Sequence, residues 1–319
     1  MDRRRFLLTS VAGLAAPLAV EAQQGEKMHR IGVLSTTWGP NSSVLQGFAG
    51  RLKELGYIEG QSLAIDVRSG EGRNDRLPAL AAELVGLRVD VIATGGPYAL
   101  EAAKDATTTI PIVFAGVGAN FPPTRSGGNL TGVAEDIVEL IVQRLALLKE
   151  AVPNLIRVAV LANPDNYGTR AYLERSHAWA QAAGVTLQVY EVRDPNDIAP
   201  AFVKMINERA EGLIAYTDSI IFGQRENIVQ TALKNRLPGT YPYRELVTAG
   251  GLLSYGPNLT TILREPVPAM VDKILKGTKP SDLPVAQPRS ELFINLKTAK
   301  ALNLTIPQSL LQRADQVIE

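Results

Sequence analysis

From residue 30 onward, short runs of aliphatic and β-branched residues alternate with amphipathic helical stretches. That alternation leaves few folds open, because strands joined through helices pair in parallel and need cover on both faces. The runs VDVIAT (89–94) and IPIVFAG (110–116) show no polar alternation, as expected of strands buried on both sides. Strands are expected at Arg30–Ser35, Leu63–Arg68, Val89–Thr94, Ile110–Ala115 and Asn129–Ala134, with helices Val44–Leu55, Leu77–Leu87 and Ala99–Ala106 between them. The amphipathic helix Ile137–Ala151 opens a second series. It has strands Arg157–Ala162, Thr186–Val192, Gly212–Thr217, Gly239–Tyr243 and Gly251–Tyr255, and helices Arg170–Ala183, Ile198–Arg209 and Gln224–Asn235. Helix Leu259–Leu275 and strand Glu291–Asn295 follow as pieces that cross back between the two series. A chain of 319 residues is long enough for two domains. The expected fold class is therefore α/β, with two doubly wound Rossmann-like lobes. Their bounds are 28–134 plus 256–285 and 135–255 plus 286–319, and the polar, proline-bearing segments 256–258 and 279–288 suit crossings. A hinge is expected near 134–136, 255–258 and 285–290.

The first 24 residues read as a leader outside this fold. Arg3, Arg4 and Arg5 precede an apolar run, Phe6–Val20, with small residues near Ala22, which is the pattern of a signal peptide. The run is shorter than the roughly 20 residues that span a bilayer, so no membrane insertion is expected after cleavage. The arginines fit the twin-arginine route, with general secretion left open. With no Cys there is no lipid attachment point, and a free periplasmic protein is expected. The lack of Cys, with His29 and His177 as the only histidines, also removes disulfides, thiol catalysis and most zinc or iron sites. No metal and no cofactor are expected. Lys and Arg number 33 against 32 Asp and Glu, scattered along the chain, so no nucleic-acid partner is expected either.

In open α/β sheets ligands bind outside the carboxyl ends of the strands. Those ends carry small donors, glycines and aromatics: Ser35, Thr36, Thr37 and Trp38 after the first strand; Thr94, Gly95, Gly96 and Tyr98 around the third; Gly116 and Val117 after the fourth. The second series matches them with Asn163, Asn166 and Tyr167, then Thr217, Asp218 and Ser219, and later Tyr243 and Tyr255. Glycines let backbone approach a ligand, Pro97 suits the first position of a helix, and the amides of that helix suit a carboxylate. Asp218 is the candidate counter-ion for an ammonium group, since a buried carboxylate needs a paired charge or several donors. Bland readings stand beside these: a strand-to-helix turn at Gly95-Gly96, helix caps at Asn163 and Asp218, and packing for Trp38, Tyr243 and Tyr255. No G-x-S-x-G elbow, phosphate loop or H-E-x-x-H helix is present. Gly116-Val117-Gly118-Ala119-Asn120-Phe121 begins like a dinucleotide fingerprint but runs into Pro122-Pro123 where a helix is required. No catalytic residue is assigned.

Seven segments carry a resemblance: GYIEGQ (56–61), EGRNDRLPALAAELV (71–85), VDVIATGG (89–96), TTTIPIVF (107–114), GGNLTGV (127–133), AGGLLSYGPN (249–258) and ELFINLKTAKALNLTIP (291–307). In this order they resemble the ABC-transporter substrate-binding family with the type I periplasmic-binding-protein fold. The resemblance implies two lobes joined by three crossovers, a small-molecule ligand held between them, and an ABC transporter permease with its cytoplasmic ATPase as partners. Some members bind tryptophan or tyrosine. By that analogy Ser35, Thr36 and Gly96 would hold a ligand carboxylate, and Asp218 would meet its amine. The expected ligand is a small carboxylate-bearing organic molecule, with an aromatic or hydrophobic amino acid as one candidate. A ligand-sensing module for a membrane receptor remains an alternative, as does an exported hydrolase using Asp218 and a water.

Overall fold

The computed structural model describes residues 28–118 and 128–319; the leader expected at 1–24 lies outside the described residues. The chain begins with β1 (His29–Ser35), α1 (Ser43–Glu54), β2 (Leu63–Ser69), α2 (Leu77–Gly86), β3 (Val91–Gly95), α3 (Pro97–Ala106), β4 (Ile112–Gly118) and β5 (Leu130–Glu135). These strands form a five-stranded sheet in the order β2-β1-β3-β4-β5, with every pair parallel. Local chemistry marks the helix ends. The Ser42 side chain accepts from Leu45 N to cap α1, and Gly56 at φ 97° turns the chain out of it. Leu34, Ile92 and Phe114 point to one face of the sheet, where they pack with Leu84, Leu100 and Ala103 of α2 and α3.

A second unit follows: α4 (Ile137–Ala151), β6 (Arg157–Ala162), α5 (Thr169–Ala183), β7 (Thr186–Glu191), α6 (Ile198–Asn207), β8 (Gly212–Ala215), α7 (Ser219–Gly223), α8 (Arg225–Lys234), β9 (Gly239–Tyr241), α9 (Arg244–Thr248) and β10 (Leu253–Pro257). The chain then forms α10 (Leu259–Arg264), α11 (Pro266–Leu275), β11 (Ser290–Asn295), α12 (Leu296–Ala301), α13 (Gln308–Arg313) and β12 (Gln316–Ile318). Seven strands order as β12-β11-β10-β9-β8-β6-β7. The chain passes between the sheets three times. Asp136 caps α4 by accepting from Glu139 N, and α4 packs on β9 and β10. After β10 the chain returns, with α10 against α1 and α11 under β3, β4 and β5. It leaves again past Ala286, whose N–H donates to Gly132 O (2.9 Å) and whose carbonyl accepts from Ala134 N (2.9 Å).

The α/β two-sheet architecture agrees with the sequence reading, and three local features differ. The helix expected over 259–275 is two helices, because Pro266 has no N–H to donate and the backbone bends at Glu265 (φ −112°, ψ −75°). The second sheet is mixed, since β11 runs antiparallel to β10. Gly256 and Pro257, expected in a linker, are the last two residues of β10 and pair with Glu291 and Ser290.

Candidate ligand-binding cleft

A cavity with about 560 Å³ of free space, part of it open to solvent, lies where the carboxyl ends of the two sheets meet. From the first unit it is lined by Thr37 and Trp38 beyond β1, Gly95 to Pro97 between β3 and α3, Gly116 of β4, and Leu259 of α10. The second unit contributes Ile137, Asn166, Tyr167, Tyr172, Thr217, Asp218, Ser219, Phe222 and Tyr243. The β4–β5 register shifts between Phe114 and Val117, with Gly116 at φ 66°. Such a bulge re-aims a strand end, and here it brings the Gly116 backbone to the cavity wall. Gly96 at φ 86° admits the turn into α3, and Pro97 occupies the first helical position. A helix N-terminus in that place favours an anion.

The Trp38 ring lies flat against Gly95: a Cβ built there would come within 2.5 Å of the indole. Gly95→Ala is therefore expected to push Trp38 out of its seat and destabilise the protein by about 1–3 kcal/mol. Urea unfolding checks this, and an unshifted midpoint would show that the ring moves freely.

Asp218 is buried at the start of α7. Its carboxylate accepts from Ile220 N (2.8 Å), Asn166 Nδ2 (3.0 Å) and Asn163 Nδ2 (3.2 Å). Burial pushes this carboxyl above its ordinary value, while donors from Asn166, Ile220 and Asn163 pull it back. It is at once a helix cap and a wall of the cavity. Tyr243 meets Phe222 edge to face, with centroids 5.7 Å apart. Tyr167 closes the rim, where its hydroxyl accepts from Gly118 N of the first unit (3.2 Å) and pairs with that of Tyr172.

Seven residues singled out from the sequence do not line the cavity. Ser35 Oγ accepts from Thr37 N (3.1 Å) and Trp38 N (2.6 Å), shaping the turn after β1, and Thr36 Oγ1 donates to Asn74 Oδ1 (2.8 Å), tying that turn to the segment after β2. Thr94 and Val117 are buried in their strands. Tyr98 packs on the apolar side of α3, and Asn163 stands behind Asp218 as its donor. Tyr255 faces elsewhere, lining a surface depression with Gln143, Glu150 and Arg313, because its place in β10 turns its side chain toward α4 and α13. Conversely, Ile137, Tyr172, Phe222 and Leu259 do line the cavity, and their helical positions suggest only packing.

A second cavity, with about 380 Å³ of free space that is partly open to solvent, shares the walls Ile137, Tyr167 and Tyr172 with the first. Glu135, the last residue of β5, lines it and is only 1% exposed. Neither carboxylate oxygen has a hydrogen-bond partner. Burial raises this carboxyl to about 7, and the nearby Arg144 guanidinium opposes the rise. Arg144 is fully buried in α4, donates through Nε to Tyr255 O (2.6 Å) and through Nη1 to Thr217 Oγ1 (3.4 Å), and leaves Nη2 unpartnered. Glu135 is not among the residues singled out from the sequence, although the strand-end rule applies equally to the end of β5.

Two α/β units closing on a cavity at their strand ends define a periplasmic-binding-protein-like fold of type I. The sequence pattern of the family described as ABC transporter substrate binding protein matches residues 31–318, and the chain belongs to that family. It is 22% identical over 287 residues to a tyrosine-binding protein of Clostridioides difficile (strain R20291), covering 88% of this chain and 82% of the relative. Among solved structures, it resembles a conserved domain protein from Vibrio cholerae (TM-score 0.82, 26% identity, 91% of this chain and 100% of the other). It also resembles an ABC domain from Streptococcus pneumonia in complex with L-Trp (TM-score 0.81, 26% identity, 92% and 100%).

Proposed function

We propose that this protein captures a small carboxylate-bearing organic molecule, an aromatic or hydrophobic amino acid, and presents it to an ABC permease served by a cytoplasmic ATPase. The observation that carries this reading is Asp218, a buried carboxylate set in an aromatic cavity opposite the N-terminus of α3. An amino acid would place its ammonium on Asp218, its carboxylate toward the helix start at Gly96, and its side chain among Trp38, Phe222 and Tyr243. The tyrosine-binding relative and the neighbour with bound L-Trp point to the same chemical class. The lobes are proposed as 28–134 plus 256–285 and 135–255 plus 286–319. They open and close about the three passages, because only the closed form offers contacts from both. No covalent chemistry is assigned, and the periplasm is the proposed location. Among the described residues no helix is long and apolar enough to cross a membrane.

Calorimetric titration with L-tryptophan, L-tyrosine and L-phenylalanine tests the reading. Asp218→Asn keeps an oxygen to cap α7, so the fold should persist. Affinity for whichever amino acid binds should fall by about 1.5–3 kcal/mol, the usual worth of a hydrogen bond to a charged group. Undiminished affinity would remove Asp218 from the site.

A further inference from the structure

The cavity beside the cleft holds an acid that nothing in the described structure answers. Glu135 is buried, and both its oxygens lack a donor. The nearest cation, Arg144, spends its Nε on a carbonyl of β10 and its Nη1 on Thr217. A buried acceptor without a donor costs free energy that any ligand group able to fill it recovers. Because the two cavities share Ile137, Tyr167 and Tyr172, a molecule seated at Asp218 with a long flat side chain would extend toward Glu135.

We propose that Glu135 is a specificity-determining residue, accepting a hydrogen bond from a neutral O–H or N–H on the ring of an aromatic amino acid whose ammonium sits at Asp218. This rests on the amino-acid reading of the cleft and narrows it. A neutral donor is favoured over a second ammonium because the Arg144 guanidinium, close enough to act on the Glu135 charge, repels a cation placed between them. A flat side chain is favoured because two of the three residues that wall both cavities, Tyr167 and Tyr172, are aromatic. A site with an acceptor waiting for a donor discriminates strongly against the analogue lacking it, since that analogue leaves the acceptor buried and unpaired.

Two matched pairs of probes read this directly by calorimetry: L-tyrosine against L-phenylalanine, and L-tryptophan against 1-methyl-L-tryptophan, which lacks the indole N–H. The wild-type protein should prefer the donor-bearing member of at least one pair by about tenfold or more, the ratio that one such bond supports. In Glu135→Leu the preference should collapse to within about threefold while the analogue without the donor still binds, and Glu135→Gln, which keeps an acceptor, should fall between. A purely structural role would weaken both members of a pair alike and leave the ratio unchanged. Equal affinities within both pairs for the wild type would overturn the proposal without using a variant, as would a preference that survives Glu135→Leu. If the pairs bind equally yet Asp218→Asn weakens all four, the amino-acid reading stands and Glu135 loses its role. If none of the four binds, both fall together.

Discussion

Replacing Glu135 by Gln is expected to stabilise the empty protein at pH 8 and to change little at pH 5. The Glu135 carboxyl, ordinarily at 4.5, is raised to about 7 by burial. Between those values the unfolded chain has released this proton while the folded chain still holds it. The folded state binds more protons there, so stability is fully present below pH 4.5 and declines as pH rises through 7. The shift corresponds to about 3–4 kcal/mol at most, at roughly 1.4 kcal/mol per pH unit. The other groups around it do not titrate in this window. Tyr167, Tyr172 and Tyr243 are raised by burial and stay neutral, while Arg144, lowered by burial to about 10, stays charged. Urea unfolding at pH 5, 6, 7 and 8 would show the wild-type midpoint falling further than the Gln midpoint, because other buried carboxyls such as Asp218 titrate alike in both proteins. Parallel profiles for the two proteins would mean that Glu135 ionises in the folded state as it does in water.

Gly132→Ala should cost about 3 kcal/mol or more, at or beyond the upper end of ordinary overpacking. A Cβ on Gly132 would lie 2.3 Å from Phe114 O and 2.6 Å from Phe114 N, atoms of the strand paired beside it. Backbone held in a ladder cannot step aside as a flexible side chain can, so the relief must come from moving β5 itself. That motion would also break the Gly132 O contact with Ala286 N (2.9 Å) and carry Glu135, three residues on, out of its cavity. Thermal and urea unfolding measure the loss, and calorimetry with whichever of the four proposed probes binds would show affinity falling with it. A variant as stable as the wild type would mean that the β4–β5 pairing is looser than its hydrogen bonds suggest.

Features carried by local pattern are legible in the sequence. Helix Ile137–Ala151 and strand Arg157–Ala162 fall where their periodicity places them, and the glycines and Asp218 at the strand ends meet in one cavity because parallel α/β sheets gather such ends on one side. Features that depend on partners distant in sequence are not. Tyr172 and Phe222 sit at apolar helical positions that look the same whether they pack a core or face a ligand. The strand Leu253–Pro257 acquires its antiparallel neighbour only because the chain has visited the other unit before returning as β11. Ser35 and Thr36 carry the hydroxyls a ligand site wants, yet the first is used by the turn after β1 and the second by Asn74 in the segment after β2.

By itself the sequence determined the alternating strands and helices of an α/β chain and the polar groups, Asp218 among them, that follow its strands, because periodicity, breakers and caps act over a few residues, while the family showed in the resemblance of whole segments. Tertiary structure alone decided which side chains face the cleft, and it alone buried Glu135 beside Arg144 without a donor. Burial and the pairing of charges depend on what the rest of the fold brings near, and no local pattern encodes that.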